Sequence, residues 1–422
     1  MSNNHARPIR YRYKVIDEGF PDSLSPPNDT FKFLSRRTKP EDIPENAIVL
    51  NPKLLGAVWI SSLKGCLQNI HWREAEATCN LLIRHVVERK RSSRIILPDG
   101  LTTADKERKS RELVETAVTI GIYLFPTAGL ERIKVLTKAV IFLFLHDDVV
   151  ESSTRNDGRT ILENIDVEYP ANKDSLAPFP EEAKRGSAQQ VTDAGNDNLW
   201  AEFAAEARRI DPVLGVELVA AAQRWAQVTR RSATVPLQSF SSFEEYMKFR
   251  AADVGNEFLL AGVKFSCGLR LAPYELVPLA KIEKLYIHHA SLVNDLYSYE
   301  KEHREALESG TAPINAVHVV HTLMDISTDR AKSVVRDLIW DTEDKLREEY
   351  TRLMAIPRFR FNTEQKRYLH RIIESTAGNV MYSCTTYRYA RFTGTLIERS
   401  SWGGWDIIKQ LVRVYMMPET EV

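Results

Sequence analysis

Three carboxylates close a nearly continuous apolar run in IFLFLHDDVVE: Asp147, Asp148 and Glu151. Charges are costly at the end of a buried segment, because carboxylates must be desolvated unless something pairs them. On a helix, Asp147 and Glu151 stand at i and i+4, one turn apart on one face, where like charges repel. A hard divalent cation turns that repulsion into binding. Mg²⁺ takes carboxylate oxygens and usually completes its shell with water and substrate phosphates. A solvated helix end running into the Asn156-Asp157-Gly158 turn would carry the same residues, so this motif alone leaves both readings open.

A second polar row lies in the apolar stretch from Leu285 to Lys301, where Asn294, Ser298 and Glu302 fall at i, i+4 and i+8. That spacing makes one stripe of amide carbonyl, hydroxyl and carboxylate. All three are hard oxygen donors with one negative charge between them, a set suited to Mg²⁺ shared with a phosphate. An exposed polar face of an amphipathic helix is the plainer alternative. The paired histidines, His288 with His289 and His318 with His321, have no HExxH or Cys/His cluster beside them, which argues against zinc. Neither a P-loop nor a GxGxxG turn is present, so no nucleotide cofactor is indicated.

The elements that must carry these rows read as helices. Periodic apolar spacing runs over Leu54 to Leu67, Glu74 to Arg91, Arg111 to Phe125, Leu130 to Val150, Leu199 to Arg231, Phe243 to Cys267, Glu275 to Lys301, Ile314 to Ala355 and Gln365 to Arg391. Period-two alternation and Asn-Gly hairpins are essentially missing. The expectation is an all-α, single-domain helical bundle. It comprises an irregular N-terminal arm over 1–50 and a helical domain over 51–422, with a Pro/Gly/Asp-rich loop insertion near 152–198.

Composition narrows the class. The 422 residues carry 57 Lys+Arg against 57 Asp+Glu, so no global charge favours nucleic acid or an anionic membrane. Hydrophobic residues at 43% and charged residues at 27% exclude collagen-like, disordered and disulfide-scaffold classes. Cys66, Cys79, Cys267 and Cys384 are too scattered for a framework and read as reduced core thiols. MSNNHARPIRYRYKV has no apolar leader and no run approaches a membrane span, so a soluble, cytoplasmic protein is expected.

Taken together, the motifs resemble those of microbial class I terpene synthases, the fungal branch more than the bacterial. DDVVE is similar to the aspartate-rich motif and NDLYSYEKE to the NSE motif. Phe125-Pro126 followed by Ala128 resembles the FPxA element. YMKFRAADVG resembles the segment carrying the diphosphate-sensing arginine, which would be Arg250, with Asp253 as its linker. GNVMYSCTTYRY resembles the C-terminal element ending in an Arg-Tyr pair, here Arg388 and Tyr389. Arg250 precedes Asn294 by 44 positions and Arg388 follows it by 94. Three departures are plain: the aspartate-rich motif ends in Glu151 rather than Asp, Tyr382 stands where Trp is usual, and Val254, beside Gly255, stands where some relatives place a helix-break carbonyl.

The resemblance implies a terpene cyclase of the class I fold that ionises a linear isoprenyl diphosphate, farnesyl diphosphate first and geranylgeranyl diphosphate second. It implies Mg²⁺, as a cluster of three ions, held by Asp147, Asp148 and Glu151 on one wall and Asn294, Ser298 and Glu302 on the other. Arg250, Lys301, Arg388 and Tyr389 would bind the diphosphate, with Asp147, Arg250, Arg388 and Tyr389 as the catalytic set. Phe125 and Phe142 are expected to line the substrate cavity, with Tyr123, Phe265, Tyr299, Tyr382 and Trp402 as further aromatic candidates. A chain-elongating prenyltransferase would need a second DDxxD, which NDLYSYEKE replaces. A non-catalytic helical interaction protein is the alternative from another class. A homodimer is compatible with either.

Overall fold

The computed structural model describes residues 6–12, 14–16, 19–21, 24, 30–35, 45–89, 103–152, 199–234, 240–357 and 360–390. Side chains at 87–89, 103–106, 147–152 and 230–234 lie outside this description, as do the expected insertion beyond residue 152 and Trp402. The helices are α1 Trp72–Arg89, α2 Thr103–Leu124, α3 Leu130–Ser152, α4 Leu199–Ile210, α5 Leu214–Thr234, α6 Phe243–Asp253 and α7 Asn256–Cys267. They continue as the short α8 Pro273–Leu276, then α9 Ala280–Ser309, α10 Ala316–Met324, α11 Thr328–Met354, α12 Thr363–Thr385 and the one-turn α13 Tyr387–Ala390. This is the all-α bundle expected. Among the described residues it adds a two-stranded antiparallel sheet in which β1 Ala47–Leu50 pairs with β2 Cys66–Asn69, Leu50 opposite Cys66.

Several segments expected as single helices are broken, and at three of the breaks a particular residue takes the backbone out of the helical pattern. Between α4 and α5, Pro212 offers no N–H, and Asp211 accepts from the amides of Val213 and Leu214 at 3.2 and 3.1 Å. Between α6 and α7, Gly255 adopts φ +83°, which favours glycine. Between α10 and α11, Asp325 turns the chain at φ 51° and Ser327 caps the new helix through the Arg330 amide.

The helix expected over Leu54 to Leu67 does not form. Gly56 sits at φ +72°, and the backbone of the following residues spends its hydrogen bonds on side chains instead. The Trp340 indole donates to the Ile60 carbonyl at 2.5 Å and the Trp59 indole to the Leu63 carbonyl at 2.5 Å. Ile60, Leu63 and Cys66 are fully buried, so apolar spacing there reports burial rather than helical periodicity.

The helices enclose one core in which α12 lies against α2, and α9 against both α11 and α12. A Cβ at Gly378 would come within 1.9 Å of the Tyr123 carbonyl oxygen, so only glycine permits the close approach of α12 to α2. The described parts of the N-terminal arm join this body. Phe31 and Leu34 are buried, and Phe20 meets Trp340 edge-on at 5.1 Å.

Glu343 of α11 ties the segment before β2 to the bundle. It is wholly buried, accepts from Ser61 Oγ at 2.5 Å and the Ser62 amide at 2.7 Å, and contacts His289 of α9 at 3.0 Å. Burial opposes ionisation, but His289 and the two serines hold the Glu343 carboxyl below its ordinary range. A carboxyl depressed on folding adds stability above its unfolded pKa of about 4.3 and loses it as pH falls through the lower folded value. Glu343→Ala should cost about 3–5 kcal/mol in chemical denaturation. Glu343→Gln should flatten the acid side of the stability profile measured from pH 6 down to pH 3.

Candidate active site

The three donors of the stripe on α9 fall on one face, as their spacing dictates. Asn294 begins the stripe. Its carbonyl accepts from Arg250 Nη2 at 2.7 Å, and its amide donates to the Tyr389 hydroxyl at 2.7 Å. Glu302 accepts from the Asn315 amide at 2.9 Å through Oε2. Ser298 is 1% exposed and its hydroxyl has no hydrogen-bond partner.

Arg250 reaches this stripe from α6, whose start is fixed by Ser242 capping the Glu245 amide. Its Nε donates to Asp295 Oδ1 at 2.8 Å and its Nη1 to Asp253. Asp295, fully buried, also accepts from the Tyr246 hydroxyl and from the Ala316 amide at the start of α10, the latter at 3.0 Å. Burial pushes the Asp295 carboxyl up, to about 6, against the pull of Arg250. Burial alone would lower Arg250, but Asp295 and Asp253 raise it well above its ordinary value, so the pair is ionised at neutral pH. Trp225 of α5 locks the helix break by donating to the Asp253 carbonyl at 2.8 Å. A Cβ at Gly255 would meet that indole at 2.9 Å.

Lys301 and Arg388 complete the basic side. Lys301 is 4% exposed and donates to Glu305 at 2.8 Å. Arg388, also 4% exposed, stacks over the Phe144 ring at 4.7 Å and faces Glu112 of α2 at 3.9 Å. Arg250, Asn294, Lys301, Glu302, Arg388 and Tyr389 all line one cavity of about 730 Å³. Its remaining wall is largely apolar: Leu113, Ile120 and Leu124 of α2, Val140, Leu143 and Phe144 of α3, Trp225, Phe258 and Leu259. Basic and polar groups gathered with an apolar wall in one cavity of this size suit a ligand with a charged head and a hydrocarbon tail.

The expected aspartate wall falls outside the described side chains at Asp147, Asp148 and Glu151, yet the backbone of α3 continues to Ser152. At roughly 100° per residue, positions 147 and 151 share the row of the cavity-lining Val140 and Phe144. The oxygen donors on α9 fit a hard cation: an orphaned buried hydroxyl on Ser298 and a Glu302 carboxylate with an oxygen beyond its Asn315 bond are donors of the kind Mg²⁺ selects. Among the described residues, no group of three His, Cys, Asp or Glu gathers elsewhere to hold a metal.

Most of the aromatics expected along the cavity lie elsewhere. Phe142 does not line the cavity. It lies roughly 200° around α3 from Val140 and packs against Trp200 and Phe203 of α4, with ring centroids 5.4 and 5.5 Å away. Phe125 is 1% exposed and supports α7, where a Cβ at Gly262 would meet its ring at 2.6 Å. Tyr123, Phe265 and Tyr299 are likewise core or flank residues, Phe265 lying under Arg132 and Tyr299 stacked on His303. Tyr382 does line the cavity. Sequence reasoning missed Phe144, Trp225, Phe258, Glu112 and Asn379. The first was legible, since it stands one turn before position 148 on the helix already singled out, within the row of Val140.

Comparison with known proteins agrees with this geometry. The family description "Terpene synthase family 2, C-terminal metal binding" matches residues 138–345, a span that holds both carboxylate-bearing rows and Arg250. Terpene cyclase aneC of Aspergillus aculeatus is 40% identical over 394 residues, 93% of this chain and 84% of that protein. Terpene cyclase 6 of Gibberella fujikuroi is 32% identical over 386 residues, 91% and 96% of the two chains. The crystal structure of aristolochene synthase from Penicillium roqueforti shares the fold at TM-score 0.55, with 20% identity over 74% of this chain and 95% of that one. The chain belongs to the fungal class I terpene synthases. It is accordingly a lyase acting on an isoprenyl diphosphate with a divalent metal, typically Mg²⁺. No helix among the described residues is long and apolar enough to cross a membrane.

The corrected rows of α3 predict opposite outcomes for neighbouring phenylalanines. Phe142→Ala should lower stability by about 3–5 kcal/mol while leaving the product mixture intact. Phe144→Ala should alter the mixture seen by gas chromatography and mass spectrometry at a smaller cost in stability.

Proposed function

We propose that this enzyme ionises farnesyl diphosphate and cyclises the resulting carbocation, releasing inorganic diphosphate and a cyclic sesquiterpene hydrocarbon or alcohol. One observation carries the reading: Arg250, Asn294, Lys301, Arg388 and Tyr389, drawn from α6, α9 and α13, converge on the rim of one largely apolar cavity. Three cations and a hydroxyl at that rim match a diphosphate, whose oxygens accept charge-assisted hydrogen bonds, bidentate ones from guanidinium groups.

In this reading Asp147, Asp148 and Glu151 hold metal from α3, and Asn294, Ser298 and Glu302 hold it from α9, three magnesium ions in all. When bound, the ions supply Lewis-acid stabilisation of the charge that develops on the leaving diphosphate. Arg250, Lys301, Arg388 and the Tyr389 hydroxyl bind the same oxygens and orient the allylic C–O bond towards the hollow. That stabilisation is worth most where water is excluded, and the apolar residues of α2, α3 and α7 exclude it. The faces of Phe144, Trp225, Phe258 and Tyr382 can each stabilise passing positive charge by roughly 0.5–2 kcal/mol. A cytoplasmic location accords with this reading.

Incubation with farnesyl or geranylgeranyl diphosphate and magnesium should release diphosphate and a cyclised product from the first. Preference for the C20 substrate would move the assignment to a diterpene cyclase, and no magnesium-dependent release from either would leave a non-catalytic helical protein. Asp147→Ala and Asn294→Ala should each cut release by about 10²-fold or more while the helical circular dichroism stays unchanged. Normal turnover in either variant would remove that residue from the metal site.

A further inference from the structure

Residues 7–12 form neither helix nor strand and are tied to the bundle at both ends. At one end Arg7, 5% exposed, forms an ion pair with both oxygens of Glu115 on α2 and a further contact to Glu76 of α1 at 3.3 Å. Its amide donates to Gln68 of β2 at 3.1 Å. At the other end the ring of Tyr11 lies 4.8 Å from that of Tyr387, and Arg12 donates to the Gly56 carbonyl at 3.4 Å.

Tyr387 is the residue immediately before Arg388 and Tyr389. Those two sit on a helix of four residues, too short to fix its own orientation. The hydrogen bond from the Arg388 amide to Thr386 Oγ1 is long, at 3.4 Å. The direction in which Arg388 and Tyr389 enter the cavity is therefore set by what packs around α13. From inside the bundle α2, α9 and α12 pack there; Tyr11 adds the contact on Tyr387. The anchor and the site also share a helix. Glu115, which holds Arg7, stands one turn along α2 from Glu112, which faces Arg388.

We propose that the segment from Arg7 to Arg12 is a positioning element of the active site, with Tyr11 clamping Tyr387 so that Arg388 and Tyr389 meet the substrate's diphosphate. The inference rests on the diphosphate-binding role given above to Arg388 and Tyr389. Calorimetry of the full-length protein with inorganic diphosphate in excess magnesium chloride, beside the KM and kcat for farnesyl diphosphate, tests it. Tyr11→Ala should weaken diphosphate binding and raise KM by about tenfold, and Tyr11→Phe, which keeps the ring, should restore both. Unchanged binding in Tyr11→Ala, or equal damage in Tyr11→Phe, overturns the clamp. If Tyr11→Ala fails to fold, Tyr11→Leu is scored by the same two readouts with the same criteria. Arg388→Ala separates the layers. If it binds inorganic diphosphate like the wild type, the role of Arg388 is wrong; if it loses binding while Tyr11→Ala keeps it, only the clamp is wrong.

Discussion

The buried ion pair between Arg250 and Asp295 is the constraint around which the site is assembled. Removing both charges from water is expensive, and it is tolerated only when every remaining lone pair and proton finds a partner. Asp295 meets that condition by drawing in two helices: α6 through Arg250 and Tyr246, and α10 through the Ala316 amide at its start, where the helix dipole also favours an anion. Asn315 closes the corner by donating to the Asp295 carbonyl at 2.8 Å as well as to Glu302. Arg250 therefore has little freedom, and its Nη2 is delivered to Asn294 as a consequence of how Asp295 is solvated. Asn294 and Asp295, neighbours in sequence, face about 100° apart on α9, one towards the cavity and one into the structural knot behind it.

Long periodic segments gave away the bundle, and the breaks within them did not show. The reason is local. Pro212, Gly255 and Asp325 interrupt helices whose apolar spacing continues on both sides, so a window of periodicity averages over the interruption. The Leu54 to Leu67 segment failed for a different cause. Past the turn at 52–56 it is buried at nearly every position, and a buried strip carries apolar residues at almost any spacing, the helical one included. Its real pattern is set by partners far along the chain, Trp340 and Glu343, which no local window contains.

At the site the legible part was the part written in helical arithmetic. The spacing of Asn294, Ser298 and Glu302 put three donors on one stripe, and the same arithmetic applied to α3 puts Val140, Phe144, 147 and 151 on another. Phe142 was misjudged because aromatic character near the carboxylates was weighed without its angle around the helix. Trp225 and Phe258 could not be found this way. They reach the cavity from α5 and α7, and only the turn at Gly255, with the indole packed against it, brings those helices to the rim.

The rim also has a charge logic that bears on how a diphosphate enters. Three of the cavity's cations already have an internal carboxylate: Arg250 has Asp253 and Asp295, Lys301 has Glu305, and Arg388 has Glu112. A buried cation left unpaired would cost several kcal/mol, so these pairings keep the cavity stable between turnovers. They also mean that an anion binds by exchange rather than by filling a positive void. Glu112 and Arg388, at 3.9 Å, are held more loosely than Lys301 and Glu305, at 2.8 Å, while Arg250 is fixed from behind by Asp295. In the proposed reading, a diphosphate would thus meet one guanidinium set rigidly in place and another with a longer carboxylate contact.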